Sequence, residues 1–242
     1  MLPLWRVALI FLATAIAVAP ANAAQRIERT AYIVGPAGDQ AKTVMAVLAA
    51  RMERLDRNPD VTRDGENIRV EVDADGDKGY DIDVLTARAV VRIYDNVEVV
   101  NQCPRISTRA CIGTPDHPDI GGLLSVFKVP AMGGEIFESV EMGQQHGQGM
   151  VTVRFRPRAA RKFAELTAKK VGQRLALVVD EILLTAPIVR EPITGGVAVI
   201  TGDSDWMEIW AAMMSERPLP YALEFIEQTD ADPIVRNKRT RK

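Results

Sequence analysis

Histidine is nearly absent from this sequence: His117 and His146 are the only two in 242 residues. His117 lies in Pro-Asp-His-Pro-Asp and His146 in Gln-Gln-His-Gly-Gln, and no Gly-x-Ser-x-Gly elbow occurs anywhere. Nucleophilic hydrolysis needs a nucleophile, a base and a group that orients the base. The sequence supplies no such set, so no catalytic residue is assigned and the chain is expected not to be an enzyme. Cysteine is equally scarce, and Cys103 and Cys111 are too few for a structural zinc site. The acidic run Asp73–Gly79 fails as a calcium loop. Counting from Asp73, positions six and twelve hold Lys78 and Val84, where an EF-hand needs glycine and a bidentate glutamate. No metal or cofactor is assigned. A formal net charge of −2 leaves no concentrated basic face for phosphates, which excludes nucleic acid as a partner of the whole chain.

What is present begins with an export signal. Arg6 precedes an apolar run from Val7 to Ala19, and Ala21-Asn22-Ala23 offers small residues for cleavage. The run is shorter than the roughly 20 residues a membrane span needs. Residues 1–23 therefore read as a signal peptide and the rest as a periplasmic protein. In an oxidising compartment Cys103 and Cys111 are expected to form a disulfide across Cys-Pro-Arg-Ile-Ser-Thr-Arg-Ala-Cys, the alternative being two free thiols.

The pattern of elements predicts an α+β chain. Residues 24–101 read as a ferredoxin-like unit, strand-helix-strand-strand-helix-strand. Its strands are Thr30–Val34, a hairpin turning at Asp64-Gly65, and Ala89–Tyr94. Its helices start at Asp39, whose carboxylate should cap the first turn, and near Tyr80. Asn58-Pro59 is expected to stop the first of them. Residues 102–122 read as an irregular connector pinned by the disulfide. Residues 123–228 read as a second α+β unit with a mixed or antiparallel sheet.

In that second unit Pro157 suits the first turn of a helix whose buried face is Ala160, Phe163, Ala164, Thr167 and Val171, with Gly172 as a left-handed cap. Arg174–Val179 and Ile182–Val189 form a hairpin about Asp180-Glu181. Pro187 marks its second run as an edge or a bulge, and an edge is where an extended peptide could be received. Asp205, with Glu208 as its capping-box partner, should start a last helix. That helix carries Trp206, Ile209, Trp210, Met213 and Met214, a core face or a groove for nonpolar peptide. Residues 229–242 read as a basic tail with Arg236, Lys238, Arg239, Arg241 and Lys242, either solubilising or drawn weakly to an anionic membrane surface.

From Val151 onward the sequence resembles the head subdomain of the first periplasmic domain of SecD, a membrane subunit of the bacterial Sec protein-export machinery. The carriers are Val153-Arg-Phe155, Lys162-Phe-Ala-Glu-Leu-Thr167, Val171-Gly172, Arg174-Leu-Ala176, Ala186-Pro187, Glu191-Pro-Ile-Thr-Gly-Gly196, Ile200-Thr-Gly202 and Leu219-Pro220. Residues 42–55, 64–70 and 87–94 are similar to the base subdomain of the same domain. The resemblance makes Gly172, Pro187, Gly195, Gly196, Gly202 and Pro220 structural motif residues, and in that family the last strand can return to pack on the base. It implies non-catalytic work on unfolded or exported polypeptide beside Sec components. The sequence departs from the family in lacking its six membrane helices, in Asp180-Glu181 where Asp-Gly is usual, in Glu216-Arg217-Pro218 before Leu-Pro, and in the cysteine loop. A free-standing envelope scaffold that reuses the fold is the other reading.

Overall fold

A computed structural model describes residues 24–74, 79–113 and 123–237. The expected signal, acidic residues 75–78, His117 and the basic residues 238–242 lie outside them. In chain order the elements are β1 (Ala24–Gly35), α1 (Ala41–Arg54), β2 (Asp60–Asp64), β3 (Asn67–Asp73), α2 (Asp81–Thr86) and β4 (Val91–Tyr94). There follow β5 (Glu98–Val100), β6 (Arg109–Gly113), β7 (Leu123–Phe127), β8 (Met132–Gly133), β9 (Phe137–Gln145) and β10 (Gln148–Phe155). The chain continues through α3 (Pro157–Lys169), β11 (Ala176–Val179), β12 (Ile182–Thr185), β13 (Val197–Gly202), α4 (Ser204–Met214) and β14 (Glu224–Asn237). The α+β class is as expected.

The first sheet has the order β14-β1-β3-β2, all antiparallel. This is the ferredoxin-like order, but its fourth strand comes from the far end of the sequence. Residues 89–94 were expected in that place. Instead β4 pairs with β11 and β8 in a separate sheet, β12-β11-β4-β8. Length gives the reason: β1 has 12 residues and β14 has 14, whereas β4 has four and would leave most of β1 an open edge. Residues 229–237, read as tail, are strand for the same reason.

Helix ends show where side chains overrule sequence signals. Asp39 makes no cap, because α1 starts at Ala41 behind Gln40, whose side chain gives no capping bond. Burial of Val44, Val47, Leu48 and Met52 carries this helix instead. It also stops before Asn58-Pro59. Asp56 N bonds Glu53 O and Arg57 N bonds Met52 O, both at 3.0 Å, with Asp56 in the left-handed region at φ 56. That pair of reversed bonds is a Schellman cap. At α4 the capping residue is Asp203 rather than Asp205. Asp203 Oδ1 accepts from Asp205 N at 3.0 Å and Trp206 N at 3.2 Å, because the helix begins at Ser204, earlier than the spacing suggests. In α3 only Phe163 and Thr167 of the expected face are buried, and Val171, past the helix end, is 49% exposed.

The connector is not irregular throughout. β6 falls inside it and pairs with β7, giving a small sheet β5-β7-β6. The disulfide between Cys103 and Cys111 is formed, with Cα atoms 5.9 Å apart. Ile112, Leu124 and Val126 of this sheet pack on Ala176, Val178 and Ala186 as a minor core. A fourth sheet, β13-β10-β9, completes the fold over α4 and the principal core.

Candidate functional site

Two sheet edges meet at one cleft. β13 is the outer strand of its sheet and lines an apolar hollow of about 560 Å³; from another sheet come Thr185, the last residue of its outer strand β12, and residues 187–191, which continue from that strand. Its floor is aromatic: Phe155 stacks on Phe163 with ring centroids 4.4 Å apart, and Phe137 meets Phe155 edge-on at 5.2 Å. Val199 is 55% exposed on the β13 side and Ile188 is 51% exposed on the other. The charged groups in the lining are Arg190 and Glu191.

Local chemistry holds the cleft open. Gly172 N donates to Val189 O at 2.8 Å, Val189 N to Gln173 O at 2.9 Å, and Leu175 N to Pro187 O at 3.1 Å. Residues 187–189 thus leave β12 and pair with the chain after α3. Gly172 makes this turn at φ 81, a conformation that L side chains resist. On the opposite side Thr167 Oγ1 accepts from Ile193 N at 2.9 Å, fixing the loop before β13 to α3. Gly196 has φ 66, accepts from Phe155 N at 2.9 Å, and a Cβ there would lie 3.1 Å from that of Ala160. Gly202 sits on Met207, whose Cε would be 3.0 Å from an added Cβ. Gly195 has open space around it, and Pro220 offers its carbonyl to Arg88 Nη2 at 3.5 Å.

The five residues read as a nonpolar peptide face are placed differently. Ile209, Trp210, Met213 and Met214 are buried in the principal core, since α4 is apolar nearly all round and packs between α1, α2 and the β10-β9 face. Trp206 alone among them is substantially exposed, at 48%, with its ring 5.3 Å from that of Tyr80. It stands at the mouth of a second hollow of about 580 Å³, where Trp210 and Met213 form the wall.

Sequence reading missed the groups that fix the crossover between the first sheet and β4. Arg51 is fully buried and donates to the carbonyls of Val84 at 2.8 Å, Ala87 at 2.6 Å and Arg88 at 3.3 Å. Burial lowers its pKa to about 10, against the opposing pull of Asp180 and Glu216. Asp180 accepts from Ala89 N and Val90 N, each at 2.9 Å, and Leu219 N donates to Arg88 O at 2.8 Å. Ala89 is held at φ 63. Arg51 had the spacing of a helix-face residue, and Asp180 that of an ordinary turn. Only their distant partners distinguish them.

Asp73, the first residue of the acidic run, is buried. It accepts from Asn58 Nδ2 at 2.6 Å and Arg236 Nη1 at 2.7 Å. Arg57 Nη2 meets Asp81 Oδ2 at 2.6 Å, and Tyr32 Oη donates to the same oxygen at 3.2 Å. His146 is exposed in the β9-β10 turn. Among the described residues no group of three or more His, Cys, Asp or Glu could hold a metal, and no helix is long and apolar enough to cross a membrane.

Residues 115–209 match the family described as SecDF, P1 head subdomain. SecD of Acetobacter pasteurianus is 31% identical over 187 residues, which cover 74% of this chain and 35% of the relative. This chain resembles the first periplasmic domain of SecD. SecD of Acidaminococcus fermentans is 42% identical over 105 residues, 43% of this chain and 25% of that protein. The chain thus matches only about a quarter to a third of the length of these SecD proteins. A solved structure of SecDF, described as a membrane component that enhances protein export, superimposes with a TM-score of 0.55 at 25% identity, over 81% of this chain and 98% of that one. SecDF in its super-membrane-facing form gives 0.60 at 22% identity, over 88% and 32%, a likeness of fold. The head match contains both β12 and β13, and so both walls of the cleft.

Proposed function

We propose that this chain is a periplasmic, non-catalytic accessory module of Sec-dependent protein export that holds extended, nonpolar segments of exported polypeptide between β12 and β13. In this reading the β14-β1-β3-β2 sheet is the base and the other sheets form the head. One observation carries it: two sheet edges line a single apolar cleft, inside the segment that matches the SecDF head. An outer strand offers backbone N–H and C=O groups that any extended chain can pair with, whatever its sequence. The aliphatic and aromatic walls reward nonpolar side chains, and the near-neutral lining sets no charge requirement. Such a site suits a client defined by being unfolded rather than by a motif.

The test is site-specific photocrosslinking from Val199 and Ile188 in export-competent cells. Exported precursors and Sec subunits should be captured from these positions and not from the far edge strand β2. Recovery of neither class would count decisively against the reading. A second reading, an envelope scaffold that uses the cleft for another ligand, draws on the disulfide-closed sheet β5-β7-β6, the region where the sequence departs from the SecD pattern. Capture of one folded envelope protein in place of precursors would favour it.

A further inference from the structure

The hydrogen bonds between β10 and β13 decide which backbone groups of β13 are left for a ligand. In an antiparallel pair, opposed residues alternate between those that exchange hydrogen bonds and those that do not, and the second kind turn their N–H and C=O to the other side. Phe155 N donates to Gly196 O at 2.9 Å, and from there the register runs unbroken, with Arg154 opposite Val197 and Gly149 opposite Gly202. Val153 with Ala198 and Val151 with Ile200 are therefore the bonded pairs. Val197, Val199 and Thr201 turn their N–H and C=O outward, away from β10. β13 is the outer strand of its sheet, and these groups have no backbone partner among the described residues. The facing edge is poorer. Pro187 has no N–H and accepts from Leu175 N, while Val189 commits both its groups to Gln173 and Gly172. Side chains alternate with the same period: Ala198 and Ile200 share a face with Val153 and Phe155, over the aromatic floor, whereas Val199 and Thr201 are exposed.

We infer that the cleft selects its client by backbone as well as by side chain: the segment adds to β13, not to the facing edge, as a further antiparallel strand. This rests on the cleft being a polypeptide site and adds which segments enter it. Antiparallel is the arrangement of every strand pair among the described residues. Client residues opposite Val197, Val199 and Thr201 exchange hydrogen bonds with them and carry their side chains outward, on the face of Val199. Client residues opposite Ala198 and Ile200 set their side chains over Phe155 and Phe163 and point their N–H groups away from β13. Two rules of opposite phase follow. Apolar side chains are required at alternate positions, and a free N–H is required at the positions between them. Proline is thus excluded from the outward set, and a helical segment, whose N–H groups are already bonded internally, is excluded altogether.

The experiment is fluorescence anisotropy of the full chain with a labelled acetyl-Ser-Thr-Leu-Thr-Leu-Thr-Ser amide, whose leucines fix the register by seating over the floor. N-methylation of a threonine should weaken binding about tenfold, because a β13 carbonyl then faces a methyl group in place of a donor. N-methylation of a leucine should change it by about twofold at most. On the protein, Val199→Pro deletes one outward N–H and leaves the bonds to β10 in place, the position an edge strand allows to proline. This variant should keep the wild-type melting curve and bind the parent peptide about tenfold more weakly, whereas Val199→Thr, of the same shape, should bind within about twofold of wild type. Should Val199→Pro unfold, the N-methyl series decides alone. Losses that are equal at leucine and threonine nitrogens, losses confined to the leucines, or a folded Val199→Pro that binds as wild type does would each overturn antiparallel addition to β13, while the parent peptide's binding would leave the cleft itself standing. A parent peptide that does not bind would remove both.

Discussion

The guanidinium of Arg51, in the last turn of α1, donates to the carbonyl of Ala87 at 2.6 Å, just where the chain leaves α2 for β4. Together with its bonds to Val84 and Arg88 this arginine satisfies carbonyls at the end of a six-residue helix too short to be stable alone. A cation there also opposes the negative end of the helix.

Replacing Arg51 with Met should keep the packing and orphan those carbonyls, costing about 2–4 kcal/mol in urea unfolding. The cost should not vary with pH near neutrality. With the native pKa lowered by burial to about 10, native and unfolded states both stay protonated well below pH 10. Only above about pH 10 does the unfolded state bind more protons, and there stability referable to this group rises with pH. Parallel stability profiles for wild type and variant from mild acid to about pH 9 would bear this out. A Met variant as stable as wild type would refute the capping role.

Asp180 fixes the same crossover from the β11-β12 turn through two backbone donors. Asp180→Ala leaves both N–H groups without this partner and should cost about 2–3 kcal/mol. Asp180→Asn keeps one acceptor and tolerates the left-handed φ of 44, so it should cost about half as much. Indistinguishable losses for the two variants would mean that the carboxylate matters only as a turn former.

Capping of α4 is open to a direct measurement. Asp203→Ala should cost about 1 kcal/mol, the usual worth of an N-cap, because Asp205 N and Trp206 N lose their acceptor. An unchanged midpoint in thermal unfolding would remove the assignment.

Val199→Asp places a charge on the exposed face of β13, where folding stability should change by no more than about 0.5 kcal/mol. Affinity for an extended nonpolar peptide, followed by fluorescence anisotropy, should fall about tenfold or more. Unchanged affinity with an intact fold would remove the cleft as the binding site.

Local chemistry was legible wherever one residue and its near neighbours decide the backbone. Asp64-Gly65 turns β2 into β3 with Asp64 opposite Asn67, Pro157 opens α3, and the 180–181 turn joins β11 to β12. The pairing of Cys103 with Cys111 belongs to the same class, since they lie eight positions apart. Less local signals misled. Asp39 and Asp205 have capping chemistry, but the helices start elsewhere because packing and Asp203 set the register. The Trp and Met residues of α4 fit a groove as well as a core in composition, and burial decides for the core in four of the five.

By itself, then, the sequence determined the class of fold, the turns, the disulfide and the likeness to SecD, because each rests on contacts a few residues long or on an ordered run of motif residues. The tertiary structure alone decided that β14 completes the first sheet in place of β4, that Arg51 and Asp180 lock the crossover, and that β12 and β13 share a cleft. The physical reason is separation along the chain: Ala24 meets Asn237, and Asp180 meets Ala89, only once the core has drawn them together. No periodicity in either partner announces the other.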